Sequence, residues 1–565
     1  MKRSIKNIVM IIVLIILVMG SVFTIYLRNN TIKNNVNNVT MKSPAPPEKP
    51  NGEAPTEGGQ PGMEKEGEAP PPMPGEDNSK EMENALSTPI YFYFIFGVEG
   101  LLISVITIYL LMSIFNKYDF KKTFSNKKRI VICILLIIFL TTDITLFLSK
   151  SFVYNELPKM PDNPVRTTEE SAYKANVKIK ESSSEKDKTY ESTEMNVNAL
   201  SIEDKVDVKL DNIVINKTGD TDNTENSSFY GINSALIARR GSTVTITNST
   251  INTDADGANG IYSFGGGIYR NDTFGDGTTI NVSNTKITTK KSYSGGIMTT
   301  AGGITHAKNL TIETSGASSA AIRTDNGGGI VTVEKGTYIT HGEGSPAIYS
   351  TGEITVEDAT LVANASEGVI IESGNKATLK NVDLTCNHTI KYQKSTQFSN
   401  IMTYRSVPMP PTSMAELLIE DSKVTTNDGP ILYVTNSISK ITLKNVSFTK
   451  NNKNINFLEV KKDAWGQEGL NGGESTVILD NQKIDGNIIV DEISTLDFKL
   501  KNNSSYEGTI NKDNTAKNIK ISLSKNSKIK LTGDSYITEF KNEDKTNSNI
   551  DFNGYKLYVK GEVIK

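Results

Sequence analysis

From Ala199 to the C-terminus, aliphatic residues recur at alternate positions in short bursts, and each burst runs into Asn or Asp. VKLDNIVI places Val208, Leu210, Asn212 and Ile215 in this pattern. VTITNSTI places Val244, Ile246, Asn248 and Ile251, and INVSNTKI places Ile280, Val282, Asn284 and Ile287. ITVEDATL gives Ile354, Val356, Asp358 and Leu361. Later copies, LLIEDSKV, ITLKNVSF and VILDNQKI, end at Val424, Phe448 and Ile484. One copy, THAKNLTI, is degraded: Thr305 and Ala307 stand where the others have larger aliphatics. Aliphatics at i and i+2 predict a strand with one buried face. Asn and Asp tolerate left-handed backbone and bond their own turn, so each marks a bend. No 3.6-residue period occurs in this part, and no helix is expected there.

A second phrase precedes each burst, a small residue followed by an aliphatic one: Ala199-Leu200, Ala235-Leu236, Gly260-Ile261, Gly296-Ile297, Ala321-Ile322, Ala347-Ile348 and Gly368-Val369. Strand, bend and strand on a period of roughly 20–26 residues cannot enclose a core within one repeat. Each repeat must stack on the last, as in a β-solenoid, where aligned asparagines form side-chain ladders. Two longer intervals hold the polar inserts GDTDNTENSSFYG and GGGIYRNDTFGDG, expected to leave as loops.

The N-terminal part reads differently. Ile8–Leu27 is an uncharged apolar run behind Lys2, Arg3 and Lys6, long enough to span a bilayer. It exceeds a signal-peptide core and no small-residue cleavage site follows, so an uncleaved anchor is expected. Ile90–Phe115 and Ile130–Leu148 are two more apolar runs. The loop between them carries Lys117, Lys121, Lys122, Lys127, Lys128 and Arg129 against Asp119 alone, which assigns it to the cytoplasm. Three transmembrane helices in this orientation put the N-terminus inside and everything after Lys150 outside, a cell-membrane protein with an extracellular C-terminal part. The expected organisation is a cytoplasmic start and first helix at 1–27, a disordered Pro/Glu-rich extracellular loop at 28–89, and helices two and three at 90–150. A polar stalk at 151–198 and the solenoid at 199–565 follow. Glu99 and Asp143 are ionisable groups at membrane depth, where such residues are costly and mark function or a membrane partner. A position near the headgroups, or a hydroxyl partner such as Thr141 or Thr142, accounts for them equally simply and is preferred.

Composition narrows the picture. A net charge of −3 gives no general attraction to nucleic acid. The two cysteines, Cys133 in an apolar run and Cys386 in the repeat, make no disulfide framework.

The phrases AIRTDNGGG, SPAIYSTGEITV and the ending TGDSYITEF…NGYKLYVKGE resemble adhesin-like right-handed parallel β-helix proteins of low-GC Gram-positive bacteria. The resemblance covers Ala199 to Lys565, and the Pro-rich loop with paired spans is similar to an N-terminal module of that group. It implies an all-β, pectate-lyase-like right-handed parallel β-helix on a surface protein. It implies no reaction, because lyases, hydrolases, esterases and non-catalytic adhesins share the fold.

Candidate chemistry is sparse. His306, His341 and His388 are scattered and make no metal-ligand spacing. Asp254 and Asp256 in NTDADGANG lack the rest of a calcium loop and read as a polar turn. Arg323 and Asp325 form the best acid–base neighbourhood, and an ordinary ion pair explains them as well. No catalytic residue, metal or cofactor is assigned. The residue after each buried aliphatic forms a column: Ser201, Ile237, Tyr262, Met298, Arg323, Tyr349 and Ile370, with Tyr433 further on. Alternation points this column outward, at roughly 4.8 Å per coil. A row of Tyr262, Met298, Arg323, Tyr349 and Tyr433 suits a polysaccharide or peptide laid along the coils, or merely stabilises a parallel sheet. Two irregular stretches, 387–413 with Tyr392, Tyr404 and Arg405, and 461–474 with Trp465, are long enough to be functional loops. Trp465 is a candidate for stacking on a sugar, with packing over the solenoid's flank the preferred reading. The expected function is ligand binding at a cell surface, to a polysaccharide or a host or cell-surface ligand. A polysaccharide lyase or hydrolase, and a structural or sensory membrane protein using the solenoid as a spacer, are the alternatives.

Overall fold

The computed structural model describes residues 168–266, 275–391, 396–407 and 411–564, preceded by scattered helical positions at Val13, Thr24, Leu27, Ile95, Val98, Leu102, Ile103, Val105 and Ile106. The chain divides into two units, Met1–Lys159 and Met160–Lys565. Among the described residues no helix is long and apolar enough to cross a membrane. Apart from those scattered positions, the expected spans lie outside the described residues, as do Glu99, Asp143, Cys133, Tyr392 and the Pro-rich loop.

The second unit is all-β with long parallel sheets, the arrangement of a parallel β-helix. One sheet of twelve strands runs in strict chain order from Lys174–Ile179 to Ile488–Val490, each rung supplied by the next coil. A larger sheet of 21 strands, with a four-stranded and a three-stranded sheet towards the C-terminus, completes the described strands. At the C-terminal end Leu557–Val559 and Glu562–Ile564 close the stack as an antiparallel hairpin.

The repeat explains itself in this frame. Val208, Leu210 and Ile215 are buried, as are their counterparts Val244, Ile246 and Ile251 one coil on, and all belong to one continuous core. Between strands the chain bends at the Asn or Asp. Asn212, Asn248, Asn284, Asp358, Asn381, Asp421, Asn445 and Asn481 all have φ between 48° and 56°. Their side chains bond up and down the stack: Asn309 Nδ2 donates to Asn284 at 2.8 Å, Asn381 to Asp358 at 2.7 Å and Asn445 to Asp421 at 2.6 Å. Where Lys335 takes the bend instead, Gly336 follows at φ 114°, with Leu310 O 2.3 Å from where its Cβ would stand. The small residue before each buried aliphatic has a steric cause: a Cβ on Gly368 would stand 2.3 Å from Cys386 Sγ. The degraded copy is repaired by polarity. Thr305 is buried with its hydroxyl 2.7 Å from that of Thr299.

Two expectations are corrected. The stalk assigned to 151–198 is, from Lys174, the first coil. Lys174–Ile179 pairs with Val197–Ile202, Ser183–Lys186 with Asp207–Asp211, and Thr189–Ser192 with Val214–Lys217. Its polar sequence belongs to an end rung, paired on one side only among the described residues, and charged side chains suit such an edge. Arg239 ties the lead-in down: it is buried, bonds Glu203 at 3.1 Å and Glu170, and lies 3.7 Å over the Tyr173 ring. The insert GDTDNTENSSFYG is not a bare loop. It forms helix α1, Thr224–Tyr230, capped by Asn223, which accepts from the Asn226 N–H at 3.0 Å. Gly231 ends it at φ 72°.

Two predictions follow from this interior. Asn381→Ala loses both the ladder bond and the left-handed tolerance, whereas Asn381→Gly loses only the bond. Urea unfolding is expected to show the alanine variant about 1 kcal/mol less stable than the glycine variant; equal losses would remove the backbone argument. Lys217 is buried, and its ammonium donates to Glu194 O at 3.0 Å and to Gly219 O. Burial pushes its pKa down to about 8 against the pull of Asp220 and Glu194. Between that value and the unfolded one of 10.5 the unfolded chain binds more protons, so this residue makes stability rise with pH across that window. Lys217→Met is expected to flatten the rise, read as unfolding midpoints compared at the two ends of the window.

Candidate functional site

The twelve-stranded sheet aligns the predicted column in register. Ser201 pairs with Ile237, Ile237 with Tyr262, Tyr262 with Met298, Met298 with Arg323, Arg323 with Tyr349 and Tyr349 with Ile370. Met402, Tyr433 and Glu459 continue it. Alternation holds as well: Leu236, Ile261, Ile297, Ile322 and Ile348 face the main core, while Ile237, Tyr262 and Met298 join a separate cluster.

Outward, however, is not exposed. Tyr262, Met298 and Tyr433 are only 0%, 1% and 2% exposed. Inserts from the coils roof both ends of the column. At one end α1 lies over it: Tyr262 Oη donates to Ser228 O at 2.7 Å, and Tyr230 and Tyr173 pack on Met298 and Ile237. At the other end Trp465, from the stretch 461–474, packs against the cluster of Met402, Tyr404 and Tyr433. Asn471 Nδ2 pins that stretch to itself by donating to Asp463 O at 2.6 Å and to Trp465 O at 3.0 Å. Tyr433 Oη donates to Asp463 at 2.7 Å beneath it. Trp465 packs edge-on to Tyr404, ring centres 5.0 Å apart.

Between the two roofs no described residue covers the column. A groove of about 410 Å³ lies there, lined by Phe229, Tyr293, Tyr349, Tyr404 and Trp465, with Arg323, Glu225, Glu367, Ile370 and Met402. Of the expected contact residues, Arg323, Tyr349 and Trp465 meet in this groove; Tyr262, Met298 and Tyr433 are its buried foundations. The Arg323 guanidinium lies 5.0 Å from the centre of the Tyr349 ring and pairs with Asp325, so the ion pair is real and largely buried. Behind the rings sits Glu372, buried, which accepts from Tyr349 Oη, from Tyr404 Oη at 3.4 Å and from Ser406 Oγ at 3.0 Å. The two tyrosine hydroxyls are 3.0 Å apart. Burial pushes the Glu372 carboxyl above its ordinary range; the Tyr349 hydroxyl pulls part of the way back, and Asp325 raises it further. Burial also raises the Tyr349 hydroxyl far above its usual range.

Glu372, Glu367, Phe229 and Tyr293 were not foreseen. Glu372 had a signal: it lies two residues past Ile370, on the same outward face, as Asp325 follows Arg323 and Tyr404 follows Met402. Phe229 and Tyr293 come from turns and inserts that carry no periodicity.

The remaining candidates lie elsewhere. His306 is exposed and bonds Thr332 Oγ1 at 2.6 Å; His341 is exposed and meets Glu313 at 3.0 Å. His388 is buried, 3.9 Å from Glu367 and edge-on to Phe398. Asp254 pairs with Lys290 at 2.9 Å, and Asp256 accepts from the Ser292 N–H at 3.0 Å, as a polar turn does. Among the described residues no group of three or more His, Cys, Asp or Glu side chains is placed to hold a metal. Compared with known protein families, with curated proteins and with solved structures, the chain matches none of them.

A raised carboxyl binds its proton more tightly folded than unfolded. The stability tied to Glu372 is therefore complete below about pH 4.5 and falls as the pH rises through its folded value. Glu372→Gln keeps the shape and an acceptor for Tyr349. The variant's melting temperature relative to the parent is expected to climb between about pH 4.5 and neutrality; a constant difference would exclude Glu372 as the source.

Proposed function

We propose that this chain is a membrane-anchored cell-surface protein that binds a glycan in the groove between the two roofs, an adhesin-like module on a right-handed parallel β-helix. Right-handedness rests on the near-universal hand of parallel crossovers. Surface location rests on the three apolar runs and the basic loop of the sequence. One observation carries the binding reading: five aromatic side chains line a single groove of about 410 Å³, held by a rigid stack of coils. That volume lies within the range of ~300–1,000 Å³ typical of small-ligand sites. Ring faces with a polar rim suit a sugar, which offers apolar C–H faces and a fringe of hydroxyls. Little ordering cost is expected, because Tyr349 is fixed through its hydroxyl and Trp465 sits in a loop closed by Asn471.

A second reading, cleavage of a polysaccharide, is favoured by the gathering of Asp325, Glu367 and Glu372 around the groove. It is the weaker one. Glu372 is covered by Tyr349, Tyr404 and Ser406, and Asp325 is engaged by Arg323, so neither presents a free carboxylate to a glycosidic bond.

The test is a glycan array probed with the protein, each hit then assayed for new reducing or unsaturated ends. Binding without cleavage is expected. Tyr349→Ala and Trp465→Ala are each expected to weaken it about tenfold, the loss of one good aromatic contact. Cleavage would replace this reading with the enzymatic one, and silence across the array would remove it.

A further inference from the structure

Along the solenoid axis the groove is bounded at both ends. Its lining includes Phe229 from α1 and Trp465 from the stretch 461–474, so a single cavity of about 410 Å³ reaches from one roof to the other. Its floor is short. The buried rungs at Met298 and Met402 are separated only by Arg323, Tyr349 and Ile370. Four steps of roughly 4.8 Å put those two rungs roughly 19 Å apart, and the end walls take up part of that length. Along one flank the turns before the strands line the cavity as well, at Tyr293, Ser318, Gly344 and Glu367.

Both end walls are tied to the stack through main-chain atoms. Three successive coils hold α1: Tyr262 Oη donates to Ser228 O at 2.7 Å, and Thr300 Oγ1 and Asn326 Nδ2 each donate to Phe229 O at 3.2 Å. At the other end Asn471 Nδ2 donates to Trp465 O, and Asn471 O accepts from the Asn436 N–H at 2.9 Å. Asn436 Nδ2 in turn donates to Arg405 O at 2.9 Å. Moving either wall breaks several of these bonds at once, so the length of the cavity is fixed by the fold.

Resting on the glycan-binding reading, we propose that the groove selects by chain length: it takes a short saccharide or the terminal units of a glycan, about three sugar rings in all, and rejects the interior of a long polysaccharide. A chain laid along the axis that continues in both directions runs into Phe229 at one end and Trp465 at the other. A terminal segment stops inside the cavity, and only its far end has to leave. The selection is steric, a clash built against the wrong ligand rather than an added contact to the right one.

The experiment probes the full-length protein with a glycan array printed in pairs: each saccharide of about three units appears free, and again in the middle of a chain about three times as long. Hits are then titrated calorimetrically as oligomers of increasing length. The free form is expected to bind at least about tenfold more tightly than the embedded one. Affinity is expected to level off beyond about three units. Phe229→Ala trims one end wall and leaves the anchors of α1, which are main-chain carbonyls, in place. In that variant the plateau is expected to move to a longer oligomer. Equal binding of free and embedded forms, or affinity that climbs with every added unit, overturns the inference and leaves the glycan reading standing. So does a folded Phe229→Ala variant whose plateau does not move. Failure of every glycan, free and embedded, removes both.

Discussion

One backbone conformation, repeated, sets the geometry of the solenoid. At every such bend but the one at Lys335, an Asn or Asp turns the chain through left-handed φ, at a cost that most residues with a Cβ would not tolerate. The same side chain then bonds its equivalent one coil away, as Asn381 does Asp358 and Asn445 does Asp421. Because the bend is the same in each coil, the strands on either side of it fall into register. Because the register repeats, every residue type is stacked on its counterparts. The interior column of aliphatics and the exterior column through Tyr262, Arg323 and Tyr349 are both consequences of that turn.

A uniform stack has no site; the groove comes from departures from uniformity. Two inserts roof the outer column where it is most apolar, α1 over Tyr262 and Met298 and the Trp465 loop over Met402 and Tyr433. Without cover those side chains would form a long exposed apolar stripe, which soluble surfaces avoid. The gap falls where the column turns amphipathic, at Arg323 and Tyr349. Placing the polar members of the column at the gap lets one sheet carry both a sealed flank and an open binding surface.

How much of this could be read from residues alone follows from which features repeat. The strands, the bends at Asn212, Asn248 and Asn284, the inner aliphatics and the outer column from Ser201 to Ile370 were all legible, because each is stated many times over; of the column's continuation only Tyr433 was placed, not Met402 or Glu459. The first coil was not, although KANVKI at Lys174–Ile179 does alternate, because in its next strand Ser183 and Glu185 stand where Val208 and Leu210 stand one coil on. Exposure of the column was misjudged for a different reason. Alternation tells which way a side chain points from its own sheet, but not what lies above it, and Tyr262 is covered by a segment more than thirty residues earlier in sequence. Glu372 could have been found by carrying the alternation two residues further. Phe229 and Tyr293 could not, because neither the α1 insert nor the turn at Tyr293 follows the repeat.

The central claim is that ligand enters the gap between the roofs, against Trp465. That residue is the chain's only tryptophan, so its fluorescence reports on this place alone. The most direct measurement is a titration of Trp465 emission with a glycan known from calorimetry to bind. The account predicts a saturable change in emission with the same midpoint as the heat. Full binding by heat with no change in Trp465 emission would contradict it and put the ligand elsewhere on the solenoid.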